Sequence, residues 1–289
     1  MDKRSKSIKK VSILSLIANM ILLILKLFIG LLSNSQAMIA DALNSAGDIF
    51  ASSMSFIGAK LSSKPNDKDH PYGHGKAEYI FSMLISLSMI VASILMIKNA
   101  ILSIVNKTQI IFSVWLVVVC IVVICTKVLL YIYSKNKNIK NGSILIKSIM
   151  EDHRNDIFVT TGTLMGIVSS YFGLYFVDGF VGISISIWIL IVGIRLFKEA
   201  YKTLMDTNIS LKEENEIIEY VTSNEEVLHV DSIIARPIGQ QYVIILKLSM
   251  NSYKTLEQCH KLSGIIKSQL MEKFEYISDV VIHINPHEN

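Results

Sequence analysis

Charge is scarce in this sequence. Of its 289 residues, 18% are charged and 51% hydrophobic, whereas a soluble domain carries roughly 25% charged residues. The shortage is also local. Residues 11–33 hold one charged side chain, Lys26, and residues 77–105 hold Glu78 and Lys98. Residues 110–134 hold only Lys127, and residues 179–194 hold none. This excludes a chain that is soluble throughout, because stretches of about 20 mostly apolar residues cross a bilayer core as helices. Cysteine is nearly absent too: Cys120, Cys125 and Cys259 are the full complement. An odd, widely spaced set argues against disulfides and against a zinc cluster, and leaves small packing residues. No small-residue cleavage pattern follows the first apolar run, so it is expected to be a true span rather than a removed leader. The net charge of +4 needs no nucleic-acid partner, because the basic residues gather at membrane edges.

Six spans are predicted, at about residues 9–31, 36–60, 77–105, 110–134, 144–172 and 177–202. The connections alternate in charge. Basic residues collect at the N-terminus (Lys3, Arg4, Lys6, Lys9, Lys10), after the second span (Lys60, Lys64, Lys68, Lys76) and after the fourth (Lys135, Lys137, Lys140, Lys147). The other three connections together hold one basic residue, Lys107. Short cytoplasmic loops accumulate Lys and Arg, so both termini and both basic loops are expected in the cytoplasm. Residues 1–205 thus form a membrane domain and residues 206–289 a soluble tail. The tail reads as helix, strand, strand, helix, strand. Leu211 to Ser223 is amphipathic. Val227 to Ala235 and Gln241 to Met250 are β-rich around a Pro237-Ile238-Gly239 turn. Leu256 to Phe274 carries Leu262, Ile265, Ile266 and Leu270 on one side. Asp279 to Asn285 alternates Val280, Ile282 and Ile284 against Val281, His283 and Asn285. So small an αββαβ unit, ferredoxin-like or metallochaperone-like, leaves one sheet face open, and a second subunit is a natural cover.

The informative residues are polar groups inside the spans. The second span contains Ala40-Asp41-Ala42-Leu43-Asn44-Ser45-Ala46-Gly47-Asp48, and the fifth opens with Glu151-Asp152-His153-Arg154-Asn155-Asp156. A charge at mid-membrane costs about 2.5–3.5 kcal/mol on the insertion scale, so such groups face a cavity, a partner or an ion. Asn44 and Asp48 lie four residues apart and share one helix face; so do Asp152 and Asp156. Brought together, the two pairs present four oxygen-bearing side chains, three of them ionisable, to a doubly charged cation. Oxygen donors suit Mn²⁺ and Mg²⁺, whereas soft and borderline ions favour Cys and His. The alternative for each residue is structural hydrogen bonding, and two i, i+4 pairs in two separate spans favour the metal reading over it. Asp41 faces another side of its helix. His153, three residues before Asp156, competes with Asp152 as a ligand.

The order of six spans and an αββαβ tail, the segment from Ala40 to Asp48, and His70-Pro71-Tyr72-Gly73-His74-Gly75-Lys76-Ala77-Glu78 together resemble the cation diffusion facilitator family. The resemblance covers nearly the whole chain. It implies a homodimer in the cell membrane that exchanges cytoplasmic metal for external protons, with no permanently bound cofactor. It also implies a transport site at Asn44, Asp48, Asp152 and Asp156. Zinc-transporting members usually place His or Asp at the first of these positions and His at the third. Asn44 and Asp152 resemble the manganese-exporting branch instead, with Zn²⁺, Fe²⁺, Co²⁺ and Cd²⁺ as alternative cargoes. A loop site would use Asp67, His70 and His74, unless that loop is ordered by Gly73 and Gly75 without metal. In the tail, His260 and His283 remain where relatives bind a metal pair, but Val230, Lys247 and Asn285 replace ligands, so the resemblance implies a degraded site and a tail that dimerises. Lys76 and Asp206 match a charge pair that ties the two subunits together near the membrane surface in relatives.

Cargo and protons compete for the same buried oxygens, so exchange follows from one set of ligands serving two ligand types. Two other classes compete with transport. One is a membrane enzyme with a metal held by His70 and His74, aided by Asp67 and Glu78; no Ser or Cys nucleophile sits beside a base, and transport is the expectation. The other is a sensor or scaffold that binds metal through the tail, which has no use for carboxylates inside the membrane. Lys-, Ile- and Asn-rich usage suggests a bacterial source.

Overall fold

The structure is a computed structural model that describes residues 3–32, 36–106, 114–171 and 176–287. Six long helices come first: α1 (Lys3–Leu32), α2 (Gln36–Ser62), α3 (Ala77–Asn106), α4 (Val114–Asn141), α5 (Ile144–Tyr171) and α6 (Phe176–Leu204). They are 27 to 30 residues long. At 1.5 Å per residue each reaches about 40 Å, enough to cross a bilayer. Four of them, α1, α3, α4 and α6, are apolar enough to be recognised as spans by composition alone. The other two, α2 and α5, carry the buried carboxylates Asp48 and Glu151, and α5 also Asp152 and Asp156, which lower their hydropathy.

The chain divides into two compact units, Met1–Lys64 with Ala77–Tyr201, and Pro65–Lys76 with Lys202–Asn289. The loop after α2 therefore folds with the tail, whereas a boundary at residue 205 leaves it with the spans.

In the helical unit, α1, α2, α4 and α5 pack on one another, and α3 lies against α2 and α5. Amphipathicity is inverted. On α1, Ile17, Ile21, Ile24, Phe28 and Leu31 are exposed, while Ser12, Ser15, Asn19 and Lys26 are buried. Lipid takes the place of water around such a bundle, so apolar groups turn outward and polar groups must find partners inside. Along the α1–α2 seam Lys26 donates to Ser45 (2.9 Å), Asn19 donates to Ser52 (3.2 Å), and Ser12 bonds Ser55 (2.8 Å). The small serines let the two helices approach closely. Near one end of the bundle, Glu78 in the first turn of α3 accepts from Arg4 of α1 (2.8 Å) and from Ser143 at the α4–α5 turn (2.7 Å).

The second unit holds α7 (Leu211–Thr222), β1 (His229–Pro237), β2 (Tyr242–Asn251), α8 (Leu256–Lys273) and β3 (Ile277–His287). Both helices begin with capping boxes, Ser210 with Glu213 and Thr255 with Gln258, which satisfy first-turn amides reciprocally. β2 is central, antiparallel to β1 and parallel to β3. This is the expected αββαβ order. Ile217 and Val221 of α7 and Leu262, Ile266 and Leu270 of α8 join Ile244, Leu246 and Leu248 of β2 in one core. Ile265, expected with the buried stripe, is 51% exposed, because the buried face follows the i, i+4 row. The other sheet face exposes Ile234 and Val281 and carries Lys247 beside His283 in register. The three cysteines lie on α4 and α8, and no disulfide joins them.

Candidate metal-transport site

Asp48 reaches the bundle interior from α2 and is 8% exposed. Asp152 and Asp156 reach it from α5, one turn apart. Ligand atoms of Asp152, His153 and Asp156 lie within 4.8 Å of one another. A cavity of about 70 Å³ is lined by Asp48, Asp152, Asn155 and Asp156, with Ser88 and Met89 of α3 closing it. The side chains of Asn44 and Asp41 lie outside the described residues, so the first position of the expected ligand set has no structural description.

Asp48 and Asp156 meet at a cation. Lys127, from α4, donates to Asp48 Oδ2 at 2.9 Å, to Asp156 Oδ2 through a short bond, and to Asn19 Oδ1 at 2.8 Å. Its side chain is 2% exposed. Asn19 is held in turn, donating to the Asp48 carbonyl and to Ser52 Oγ, both at 3.2 Å. Sequence reasoning counted Lys127 only as the single charge of its span and did not single out Asn19. The signal was there: a lone lysine in mid-membrane demands a buried anion, and the carboxylates of Asp48, Asp152 and Asp156 lay in neighbouring spans.

His153 is fully buried, and its Nε2 bonds Ser15 Oγ of α1 at 2.8 Å. Its Nδ1 has no partner among the described residues, and neither do Asp152 Oδ2 or the amide of Asn155. Buried polar atoms without partners are uncommon. Asp152 and Asn155 bring theirs to the cavity, where Asp48 and Asp156 supply further carboxylate oxygens. Arg154 points elsewhere, pairing with Glu151 and stacking on Trp188 of α6 at 5.5 Å.

The second candidate cluster lies in the loop. His70 Nδ1 is 3.2 Å from Asp67 Oδ1, and His74 Nε2 is 3.5 Å from Asp67 Oδ2. The two rings sit 4.4 Å apart. Local backbone geometry builds the cluster: the His70 amide donates to Asp67 Oδ1 at 2.7 Å, and the Gly73 amide donates to the His70 carbonyl at 2.9 Å. Gly73 has φ +77°, a conformation that glycine reaches without strain. The hydrogen bond donated by the His70 backbone amide holds the Asp67 carboxyl below its ordinary range. Gly73 shapes the turn, and one carboxylate and two imidazoles converge in it. Gly75 adds a docking contact. A Cβ there would lie 3.0 Å from the Ile238 carbonyl and 3.3 Å from Gly239 Cα.

Lys76 Nζ lies 2.5 Å from Asp206 Oδ1, and Arg236 donates to the other Asp206 oxygen at 3.0 Å. Pro65–Lys76 packs with the tail and brings Lys76 to Asp206 within the chain. Asp206 has φ +51°, tolerable for aspartate. The hydrogen bond from Lys76 holds its carboxyl below the usual range.

In the tail, His260 and His283 line a groove of about 480 Å³ together with Cys259 and Met250. No third ligand joins them to make a cluster among the described residues.

Comparison with known proteins bears on the whole chain. Residues 12–205 match the cation efflux transmembrane domain, and residues 209–287 match the cation efflux protein cytoplasmic domain. The manganese efflux system protein MneP of Bacillus subtilis is 28% identical, covering 99% of this chain and 98% of that protein. The magnetosome protein MamM of Magnetospirillum gryphiswaldense is 30% identical, covering 93% and 85%. The cation-efflux pump FieF of Shigella boydii is 26% identical, covering 92% and 88%. With its helical membrane domain and its small α/β cytoplasmic domain both matched, the chain belongs to the cation diffusion facilitator family and is a divalent-cation efflux transporter rather than an enzyme.

Proposed function

We propose that the chain exports Mn²⁺ from the cytoplasm in exchange for protons, as a homodimer in the plasma membrane with both termini inside. The observation that carries this reading is the convergence of Asp48 and Asp156 on one point, with Asp152 one turn away on the same helix. Hard oxygen donors suit Mn²⁺. Asn44 belongs to the proposed set through its i, i+4 relation to Asp48. His153 is the competing nitrogen donor: its Nε2 bonds Ser15, and its Nδ1 has no partner among the described residues. The similarity to a manganese efflux protein of B. subtilis points the same way, with Zn²⁺, Fe²⁺, Co²⁺ and Cd²⁺ as the competing cargoes.

Exchange follows from competition. Cargo and protons seek the same carboxylate oxygens, so protons arriving from outside help to release metal. The loop cluster of Asp67, His70 and His74 is a second metal site in this proposal. The tail serves dimerisation, through the sheet face that bears Ile234 and Val281.

Transport into everted vesicles under an imposed pH gradient tests the reading. Asp48→Ala and Asp156→Ala should each abolish Mn²⁺ uptake at unchanged protein abundance. Full activity in either variant removes the site assignment. Asn44→His combined with Asp152→His should shift preference toward Zn²⁺; a double variant that still prefers Mn²⁺ shows that ligand identity is not the filter.

A further inference from the structure

Lys127 has no assigned task in metal export, yet it occupies the centre of the site. Its ammonium is the common node of four helices: Asn19 of α1, Asp48 of α2, Asp156 of α5, and its own α4. A divalent cation bound by Asp48 and Asp156 sits on the two carboxylates whose Oδ2 atoms Lys127 now holds. Metal–oxygen contacts to such ions run to about 2.0–2.6 Å, so even an ion on the other carboxylate oxygens lies close to the ammonium and is repelled by it. The two occupants therefore compete.

We propose that Lys127 is a tethered counter-cation that competes with the cargo and so sets how tightly the site holds metal and how readily it lets go. This rests on the transport-site reading above. In the empty site the ammonium neutralises part of a buried carboxylate cluster. When metal enters, Lys127 withdraws from Asp48 and Asp156 and keeps its bond to Asn19. Asn19 is built for that role, because its own amide is fixed by the Asp48 carbonyl and by Ser52, leaving its oxygen aimed at Lys127. Donors that the lysine does not consume wait in the same cavity: Asp152 Oδ2 and both amide atoms of Asn155 have no partner among the described residues. The retained ammonium also balances charge, since three carboxylates exceed a divalent ion by one negative charge. On departure of the metal the lysine re-enters and prevents the ion from rebinding.

The test is Mn²⁺ binding to the purified full chain by calorimetry, together with Mn²⁺ flux in proteoliposomes. Three proteins are compared: wild type, Lys127→Met, which keeps length without charge, and Asp156→Asn. Lys127→Met should bind Mn²⁺ about tenfold tighter or more, the scale of one charge-assisted hydrogen bond lost by the competitor, while maximal flux falls because release slows. Tighter binding with slower flux is a split that a merely structural lysine would not produce, since loss of packing weakens both. Asp156→Asn separates the layers of the argument. If it binds Mn²⁺ as wild type does, the transport-site reading fails and this proposal with it. If it loses binding but Lys127→Met binds no tighter than wild type, the lysine proposal alone is overturned. Should Lys127→Met not purify as a monodisperse protein, the wild-type chain supplies the answer. Saturating Mn²⁺ should then raise the rate at which an amine-reactive reagent acylates Lys127, read by mass spectrometry. A rate indifferent to saturating Mn²⁺ overturns the proposal.

Discussion

Replacing Glu78 by alanine should loosen the end of the helical unit where α1, α3 and the α4–α5 turn meet. The Glu78 side chain is 2% exposed and accepts from Arg4 at 2.8 Å and from Ser143 at 2.7 Å. Arg4 also donates to the Asn141 carbonyl at 3.1 Å, so one carboxylate organises three segments. Breaking a buried ion pair by removing one partner costs about 3–5 kcal/mol. Arg4 is 23% exposed, so water rehydrates much of the stranded guanidinium, and the expected loss falls to about 2–3 kcal/mol. For a unit of this size each kcal/mol shifts the melting temperature by about 2–4 °C, which gives a drop of roughly 4–12 °C. Thermal unfolding of the purified chain in detergent, followed by loss of the monodisperse chromatographic peak, measures it. Arg4→Ala should cost at least as much as Glu78→Ala, because it strands a carboxylate that is 2% exposed with only the Ser143 hydroxyl beside it. The double variant should cost less than the two single losses added, because the pair is counted once. A shift below about 2 °C for Glu78→Ala, or strict additivity with Arg4→Ala, would falsify the clasp.

Two further outcomes concern the loop and the tail. Gly73→Ala places a side chain at φ +77°, at a cost of roughly 1–2 kcal/mol; amide exchange across Pro65–Lys76 should accelerate and Zn²⁺ binding by Asp67, His70 and His74 should weaken, and unchanged exchange would show that the turn tolerates a Cβ. The depressed Asp206 carboxyl contributes stability that is complete above its ordinary value of 3.8 and is lost as pH falls through its lower folded value. Asp206→Asn should therefore speed exchange in Pro65–Lys76 at neutral pH and remove the acid-induced loosening expected of wild type; identical exchange in both proteins at neutral pH would show that the Lys76 and Arg236 contacts hold nothing in place.

Much of this protein is decided along the chain. Long apolar runs between polar edges make helices in a bilayer whatever surrounds them, because no other structure satisfies the backbone there. The alternating strands and amphipathic helices of the tail impose the αββαβ order by the same local logic. The i, i+4 spacing of Asp152 and Asp156 sets one face of α5 before any neighbour is considered. Other features exist only in three dimensions. Lys127 is 79 residues from Asp48 and 29 from Asp156, and the local pattern does not say that its ammonium reaches both. The same holds for Ser15 against His153, for Glu78 against Arg4 and Ser143, and for Lys76 meeting Asp206 of its own chain. These are polar groups whose burial is tolerable only with a partner, and the packing of distant helices chooses which partner each one meets.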